Sequence, residues 1–179
     1  MRAERPRGDR GTGWGTFNST PGWAQSVTKE KIMVTTVGTE TSIEKLVENL
    51  ILLEHDAIAA YDAVIERLEN PDFAAQISAF REDHEAHLSG LRECAAEIGL
   101  VAPTEGDAKE FLTTGKVKLA SLMGDGAILK AMSTNETDTV TAYSNAIENP
   151  QSSAKLMPLV ERALADEQRH KDWMDRTAA

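Results

Sequence analysis

One pattern of residues occurs twice in this chain, and it restricts the fold more than any other feature of the sequence. The segment that begins at Glu54 reads EHDAIAAY, and the segment that begins at Glu136 reads ETDTVTAY. Further along, DHEAH at residues 83–87 corresponds to DEQRH at residues 166–170. The first glutamate and the last histidine are 33 residues apart in one copy and 34 in the other. This internal duplication predicts two similar halves.

Both copies lie in stretches with the period of an α-helix. Apolar residues recur every three or four positions over residues 43–68, 77–98, 128–147 and 156–174, which predicts four amphipathic helices. Residues 41–44, TSIE, form a predicted capping box at the start of the first helix, with Thr41 as the cap. Asn-Pro pairs at residues 70–71 and 149–150 are predicted to end the first helix of each pair.

The connection lengths predict how the helices are arranged. Only a few residues join the first helix to the second and the third to the fourth, so each pair is predicted to form an antiparallel hairpin. About 25 residues, 100–124, join the two hairpins, which is enough to cross the bundle and include a short helix. The predicted fold class is all-α, a four-helix bundle of two antiparallel hairpins joined by a long crossover, and no segment reads as a strand.

Composition sets the domain boundaries and limits the partners. Residues 1–38 are rich in glycine and proline, and we expect either a disordered tail or a leader upstream of a true start at Met33. The bundle is predicted to occupy residues 39–179. The formal net charge of -10 argues against nucleic acid or an anionic membrane as a partner. With one cysteine, no apolar span and no secretory signal, a cytoplasmic protein is expected, and a homo-oligomer is allowed.

Ionisable side chains interrupt the apolar faces near the middle of every predicted helix. They are of the types that bind metals: Glu54, His84, His87, Glu136, Glu167 and His170. A single buried carboxylate is usually satisfied by a tyrosine or an arginine, and a histidine pair alone can be a hydrogen-bonded core pair. Six such groups converging from four helices favour a metal site instead.

This arrangement resembles the ferritin-like superfamily, in particular rubrerythrin-type di-iron carboxylate bundles and a set of bacterial ferritin-like domain proteins whose function is largely unassigned. The resemblance covers residues 41–176 and rests on Glu136 with the sequence DEQRH at 166–170, and on the tyrosine seven residues after each helix glutamate. It implies two iron ions per chain, or manganese, that react with oxygen or peroxide as in ferroxidase or peroxidase-like chemistry.

The resemblance also implies a role for each residue. Glu54 and Glu136 would be terminal carboxylates, and Glu167 would bridge the two ions. The remaining residues follow from the same pattern: His87 and His170 as terminal imidazole ligands, Asp83 and Asp166 as partners that orient those imidazoles, and Tyr61 and Tyr143 as hydrogen-bond donors to the carboxylates across the bundle.

His84 departs from the family pattern, which has a second bridging glutamate at that position. A neutral imidazole cannot bridge two metals as a carboxylate does. The sequence therefore leaves three alternatives: an asymmetric pair of ions with three histidines, a half-occupied site, or a metal that prefers nitrogen ligands. It also keeps open a non-enzymatic bundle, with structural metal or none, that acts as a stress or interaction module.

Four neighbouring residues receive no metal-binding role. His55 is expected at the surface, Asp56 and Asp138 are expected to lie outside, and Trp173 is expected to be a packing residue.

Overall fold

The described part of the chain folds as a bundle of four long helices. The computed structural model describes residues 35–105 and 122–178. The helices are α1 (Ile43–Ile65), α2 (Pro71–Glu97), α3 (Asp125–Glu148) and α4 (Met157–Thr177). No strand occurs within these two described ranges. The predicted all-α four-helix bundle is confirmed.

The helix starts follow local side-chain chemistry, with one correction at α1. The cap of α1 is Ser42 rather than Thr41, and its hydroxyl accepts a hydrogen bond from the Lys45 backbone N–H. The predicted Thr41–Glu44 box is therefore wrong by one residue. The helix also ends at Ile65, before the apolar residue Leu68 that the sequence pattern included.

The loop between α1 and α2 is held by the amide side chain of Asn70 and the carboxylate of Asp125. Asn70 caps α2 by accepting from the Asp72 backbone N–H at 2.9 Å, and Pro71 fills the first helical position, where no N–H is needed. The two oxygens of Asp125, in the first turn of α3, accept from the backbone N–H groups of Glu69 and Asn70, each at 2.9 Å. The loop is thus fixed to the second hairpin.

The opposite end of α3 receives the chain segment that precedes α1. Asn149, where α3 ends, donates to the carbonyls of Gly38 and Glu40 at 2.7 and 2.9 Å. Gly38 has a φ of 93° and lies directly against the α3 backbone at Ala142, so a side chain there would be strained and would collide with the helix. This contact requires glycine.

The two hairpins, α1–α2 and α3–α4, pack more extensively within themselves than against each other. Two apolar clusters fill the core. One includes Leu50, Leu91 and Val160, and the other includes Ile77, Leu129 and Met174. The ionisable residues of the duplicated pattern are buried as well, on the same four helices that contribute to these clusters.

Two predictions lie outside the described residues. They are the expected tail, for residues 1–34, and the expected short helix in the crossover, for residues 106–121. Within the described ranges, none of the helices has the length and apolar character needed to cross a membrane.

Candidate metal centre

The six predicted ligands come together in the middle of the bundle. Each helix contributes at least one of them, because the repeated pattern puts each at a core-facing position of its helix. All six are at most 1% exposed: Glu54, His84, His87, Glu136, Glu167 and His170. Their metal-binding role stays a prediction, but their convergence is a property of the structure.

The ligand atoms form two overlapping groups of four. One group consists of Glu54, His84, His87 and Glu167. The other consists of His84, Glu136, Glu167 and His170. Within each group, one ligand atom from every residue lies within 4.8 Å of the others, a spacing that could hold a metal ion. His84 and Glu167 belong to both groups, so the two candidate positions are adjacent.

Several buried atoms that face this cluster lack a hydrogen-bond partner within the described structure. They include both carboxylate oxygens of Glu167 and Nδ1 of His87. The His87 Nδ1 atom lies 3.5 Å from Glu167 Oε1, and His170 Nδ1 lies 3.6 Å from Glu167 Oε2. Unpartnered buried carboxylate oxygens are costly, and a cation between them and the imidazoles would satisfy them. The donor set therefore fits a metal ion.

Two tyrosines connect the hairpins through hydrogen bonds to Glu54 and Glu136. The Tyr61 hydroxyl, on α1, donates to Glu136 Oε1 on α3 at 2.7 Å. The Tyr143 hydroxyl, on α3, donates to Glu54 Oε1 on α1. Burial raises the pKa of both phenols, and the neighbouring glutamates raise it further, so both remain hydrogen-bond donors.

Two aspartates make the corresponding connection between α2 and α4. His170 Nε2 lies 3.0 Å from Asp83 Oδ2, and His87 Nε2 lies 3.1 Å from Asp166 Oδ2. An ionised carboxylate can only accept, so Nε2 of each ring carries a proton, and in the neutral form of the ring Nδ1 is left as a donor atom for a metal. Each histidine is thus oriented by the opposite hairpin.

His84 is held differently from the other two histidines. Its Nδ1 lies 2.8 Å from Glu54 Oε2 and 3.4 Å from Glu167 Oε1. Its Nε2 is buried and has no hydrogen-bond partner within the described structure, whereas Nε2 of His87 and His170 each bind an aspartate. No carboxylate therefore fixes the tautomer of His84 from outside the cluster.

Without metal, the glutamates and histidines of the cluster shift each other's pKa values. Burial disfavours every charged form, yet the adjacent glutamates hold the pKa of His84 above its usual range and raise the pKa of His87 to about 10. The same contacts lower the pKa of Glu167 despite its burial, with His84 as the main opposing charge. Protonated imidazoles therefore supply positive charge when no cation is present.

The pKa values of Glu54 and Glu136 are shifted in opposite directions. The pKa of Glu54 is lowered, because the charge of His84, its hydrogen bond and the nearby His87 together outweigh desolvation. The pKa of Glu136 is raised well above its usual range by burial and by the charge of Glu167. Ionisation is therefore favoured at Glu54 and disfavoured at Glu136.

The structure corrects two of the neighbouring assignments. His55, expected at the surface, is 4% exposed, and its Nε2 lies 3.3 Å from Arg92 Nη2. Asp56 and Asp138, expected outside, are half-buried, and burial raises the pKa of Asp56 to about 7. Helical period misplaces His55 and Asp56 because residues 46–61 of α1 include no fully exposed side chain. Trp173 packs edge-on against Phe73 and Phe80, as predicted.

Two contributors to the site had no clear signal in the sequence. The Thr139 hydroxyl lies 3.3 Å from Glu136 Oε2 and donates to the Glu136 carbonyl at 3.0 Å. The Phe80 ring stacks on the His170 ring, with centroids 4.3 Å apart. Thr139 corresponds to Ala57 in the first copy, so the duplication gave no reason to select it.

The fold and the site define a four-helix bundle whose buried Glu/His cluster could hold a metal ion. The chain belongs to the family described as a domain of unknown function, DUF2383, whose model matches residues 41–149. That match includes α1, α2 and α3 but ends before α4, which carries Glu167 and His170. No curated protein and no solved structure matches the chain.

Proposed function

We propose that this chain is a ferritin-like metalloprotein that binds two divalent ions, iron or manganese, and reacts with oxygen or peroxide. One observation carries the proposal: two ligand groups share Glu167, and both oxygens of that carboxylate are buried without a hydrogen-bond partner in the described structure. A carboxylate with two uncommitted oxygens is suited to contact two ions at once. The ferritin-like assignment rests on the repeated ligand pattern and the four-helix bundle.

Each half would hold one ion through its own glutamate and histidine. Glu54 and His87 would serve the first position, Glu136 and His170 the second, and Glu167 would contribute to both. Because His84 lies in both groups but offers nitrogen instead of a carboxylate, we propose an asymmetric pair of ions.

Bound iron or manganese would supply the electrons for the reaction by changing oxidation state. The chain's own residues set the conditions. The two apolar clusters limit access of water to the centre, and Tyr61 and Tyr143 fix the terminal carboxylates from across the bundle. Asp83 and Asp166 keep the proton of the neutral His170 and His87 rings on Nε2, so that Nδ1 faces the cluster.

Anaerobic loading with Fe²⁺ tests the proposal. We expect close to two ions per chain by elemental analysis after desalting, and consumption of oxygen or peroxide coupled to oxidation of Fe²⁺. The Glu167→Ala/His170→Ala variant should lose both properties. Absence of bound iron and manganese in the wild type, or identical behaviour of the double variant, would overturn the proposal.

A non-enzymatic bundle is the second candidate, and one observation favours it. In the absence of metal, the protonated His84 and His87 already pair with Glu54 and Glu167, so the cluster has a charge-compensated form of its own. Binding of two ions without any reaction with oxygen or peroxide would identify a structural metal site. A metal-free protein of unchanged stability would identify an interaction module.

A further inference from the structure

Arg169 lies on the outer side of α4, where this helix faces α2. Its Nη2 atom lies 2.7 Å from Asp166 Oδ1 on its own helix and 2.9 Å from Asp83 Oδ2 on α2. One guanidinium nitrogen therefore contacts an aspartate from each hairpin. The guanidinium also rests 5.5 Å from the centre of the Phe80 ring, which stacks on His170.

Both of these aspartates hold a histidine of the cluster. Asp83 accepts from Nε2 of His170, and Asp166 accepts from Nε2 of His87. Arg169 is thus connected to each candidate metal position through one aspartate and one histidine. Within the described residues, no cation other than Arg169 contacts both aspartates.

The duplicated pattern has this arginine in its second copy only. Arg169 lies between Glu167 and His170 in DEQRH, and the matching position of DHEAH is Ala86. Since Asp83 and Asp166 approach the same guanidinium, the second copy's arginine contacts the aspartates of both copies.

We propose that Arg169 is a positioning residue for both histidines of the metal centre. By fixing Asp83 and Asp166, it holds the Nε2–H groups of His170 and His87 outward and their Nδ1 atoms toward the cluster. The inference rests on the proposed metal function, and it adds a residue that contacts no ligand atom of the cluster itself.

Charge balance supports the same assignment. The three glutamates, two aspartates and Arg169 together carry a net charge of −4, counting −3, −2 and +1. Two divalent ions with neutral histidines balance this charge. Without Arg169, the loaded centre would carry an excess negative charge, and the aspartates would no longer be held in place.

Stability alone cannot be the role of Arg169. Its side chain is 51% exposed, and exposed ion pairs contribute at most about 1 kcal/mol to folding. An outer partner of a metal-binding histidine has a larger effect on the metal, since its removal typically lowers affinity by about 10- to 100-fold.

The test compares Arg169→Gln with Arg162→Gln, an exposed arginine two turns earlier on the same helix. Calorimetric titration with Co²⁺ under anaerobic conditions should show about 10- to 100-fold weaker binding for Arg169→Gln at both positions, with an altered visible Co²⁺ spectrum. Arg162→Gln should match the wild type, and Arg169→Lys should recover part of the loss. All variants should unfold at nearly the same urea concentration.

A second measurement needs no metal. The ring ¹⁵N shifts of His87 and His170 should change in Arg169→Gln and not in Arg162→Gln. In an Asp83→Asn/Asp166→Asn background, adding Arg169→Gln should have no further effect on Co²⁺ binding.

The outcomes separate this inference from the proposed function. Wild-type Co²⁺ affinity, spectrum and ring shifts in Arg169→Gln would overturn the positioning role and leave the metal function intact. An undiminished effect of Arg169→Gln in the doubly substituted background would also overturn it. If the wild type binds neither Co²⁺ nor Fe²⁺ while the ring shifts respond, the metal function fails and the orienting role of Arg169 stands.

Discussion

The two halves of the cluster match at every position except the central one. In each half, a glutamate receives a hydrogen bond from the other hairpin's tyrosine, and a histidine binds the other hairpin's aspartate. At the centre, the first half has His84 and the second has Glu167. The duplicated framework thus fixes the geometry, and one substitution decides the charge and donor type of the shared position.

The difference between His84 and Glu167 also gives two equivalent glutamates opposite pKa shifts. Glu54 and Glu136 occupy equivalent positions, but the pKa of Glu54 is lowered because the neighbouring His84 lies 2.8 Å away. The pKa of Glu136 is raised, because burial and the charge of Glu167 both oppose its ionisation. Three predictions test this difference between the halves, and a fourth tests a half-buried carboxylate beside the cluster.

The largest effect is expected from the residue shared by both groups. Glu167→Gln should weaken binding of both Mn²⁺ ions by more than about 100-fold, because a direct ligand contributes more than an outer partner does. Glu54→Gln should remove one ion and leave the other. Titration calorimetry distinguishes these results, with the exposed Glu161→Gln on the same helix as the control. Retention of one tight ion in Glu167→Gln would show that Glu167 is not shared.

Removing the hydroxyl of each tyrosine should destabilise the fold by different amounts, because the two glutamate partners differ in how readily they ionise. In the metal-free protein, Tyr143→Phe should destabilise the fold by about 1.5–3 kcal/mol, since its partner Glu54 is ionised. Tyr61→Phe should remove only about 0.5–1.5 kcal/mol, because burial and the charge of Glu167 disfavour the ionised form of Glu136. Urea unfolding at pH 7 measures both. Equal losses would contradict the proposed difference in charge between the two glutamates.

Making the halves alike should change the choice of metal. His84→Glu supplies a second shared carboxylate, so the affinity for Mn²⁺ relative to Zn²⁺ should rise by about 10-fold, because oxygen ligands favour manganese. The exchanged protein, His84→Glu with Glu167→His, has the original composition and serves as the control for position. It should regain a wild-type preference. A lower relative affinity for Mn²⁺ in His84→Glu would mean that the histidine is required for the site to form.

The smallest effect is expected at Asp56, whose folded-state pKa of about 7 exceeds its ordinary value of 3.8. Its ionised form is therefore disfavoured by folding, and the resulting loss of stability grows as the pH rises from about 4 to about 7. Asp56→Asn should stabilise the metal-free protein at pH 8 by less than about 1 kcal/mol, given its partial exposure, and should have no effect at pH 4.

Thermal unfolding at the two pH values measures this difference, with the exposed Asp172→Asn as the control. Stabilisation of equal size at both pH values would contradict the assigned pKa.

The sequence predicted the fold well because its signals are local and repeated. Apolar period located the four described helices. The Asn-Pro pair at 149–150 marks the end of α3, whereas the pair at 70–71 marks the start of α2 and not the end of α1, because proline fits the first turn of a helix. The end of α1 was misplaced because Leu68 continues the apolar period through residues that form a turn.

The site was predictable only where the duplication extended. The six convergent residues share core-facing positions in both copies, and these are visible in the sequence. Burial of His55 depends on the neighbouring helix, where Arg92 contacts it, and no pattern within α1 reports that contact. The shared role of Arg169 was also hidden, because it depends on two aspartates 83 residues apart approaching the same guanidinium.

The tyrosine and aspartate bonds all cross from one hairpin to the other, which makes each half a supporting subunit for its counterpart. Such a chain is organised as a pseudosymmetric dimer whose two protomers are covalently linked. A metal held at that junction would join the protomers, so metal binding and their association are thermodynamically linked. Separating the hairpins would break these bonds and expose the buried centre to solvent.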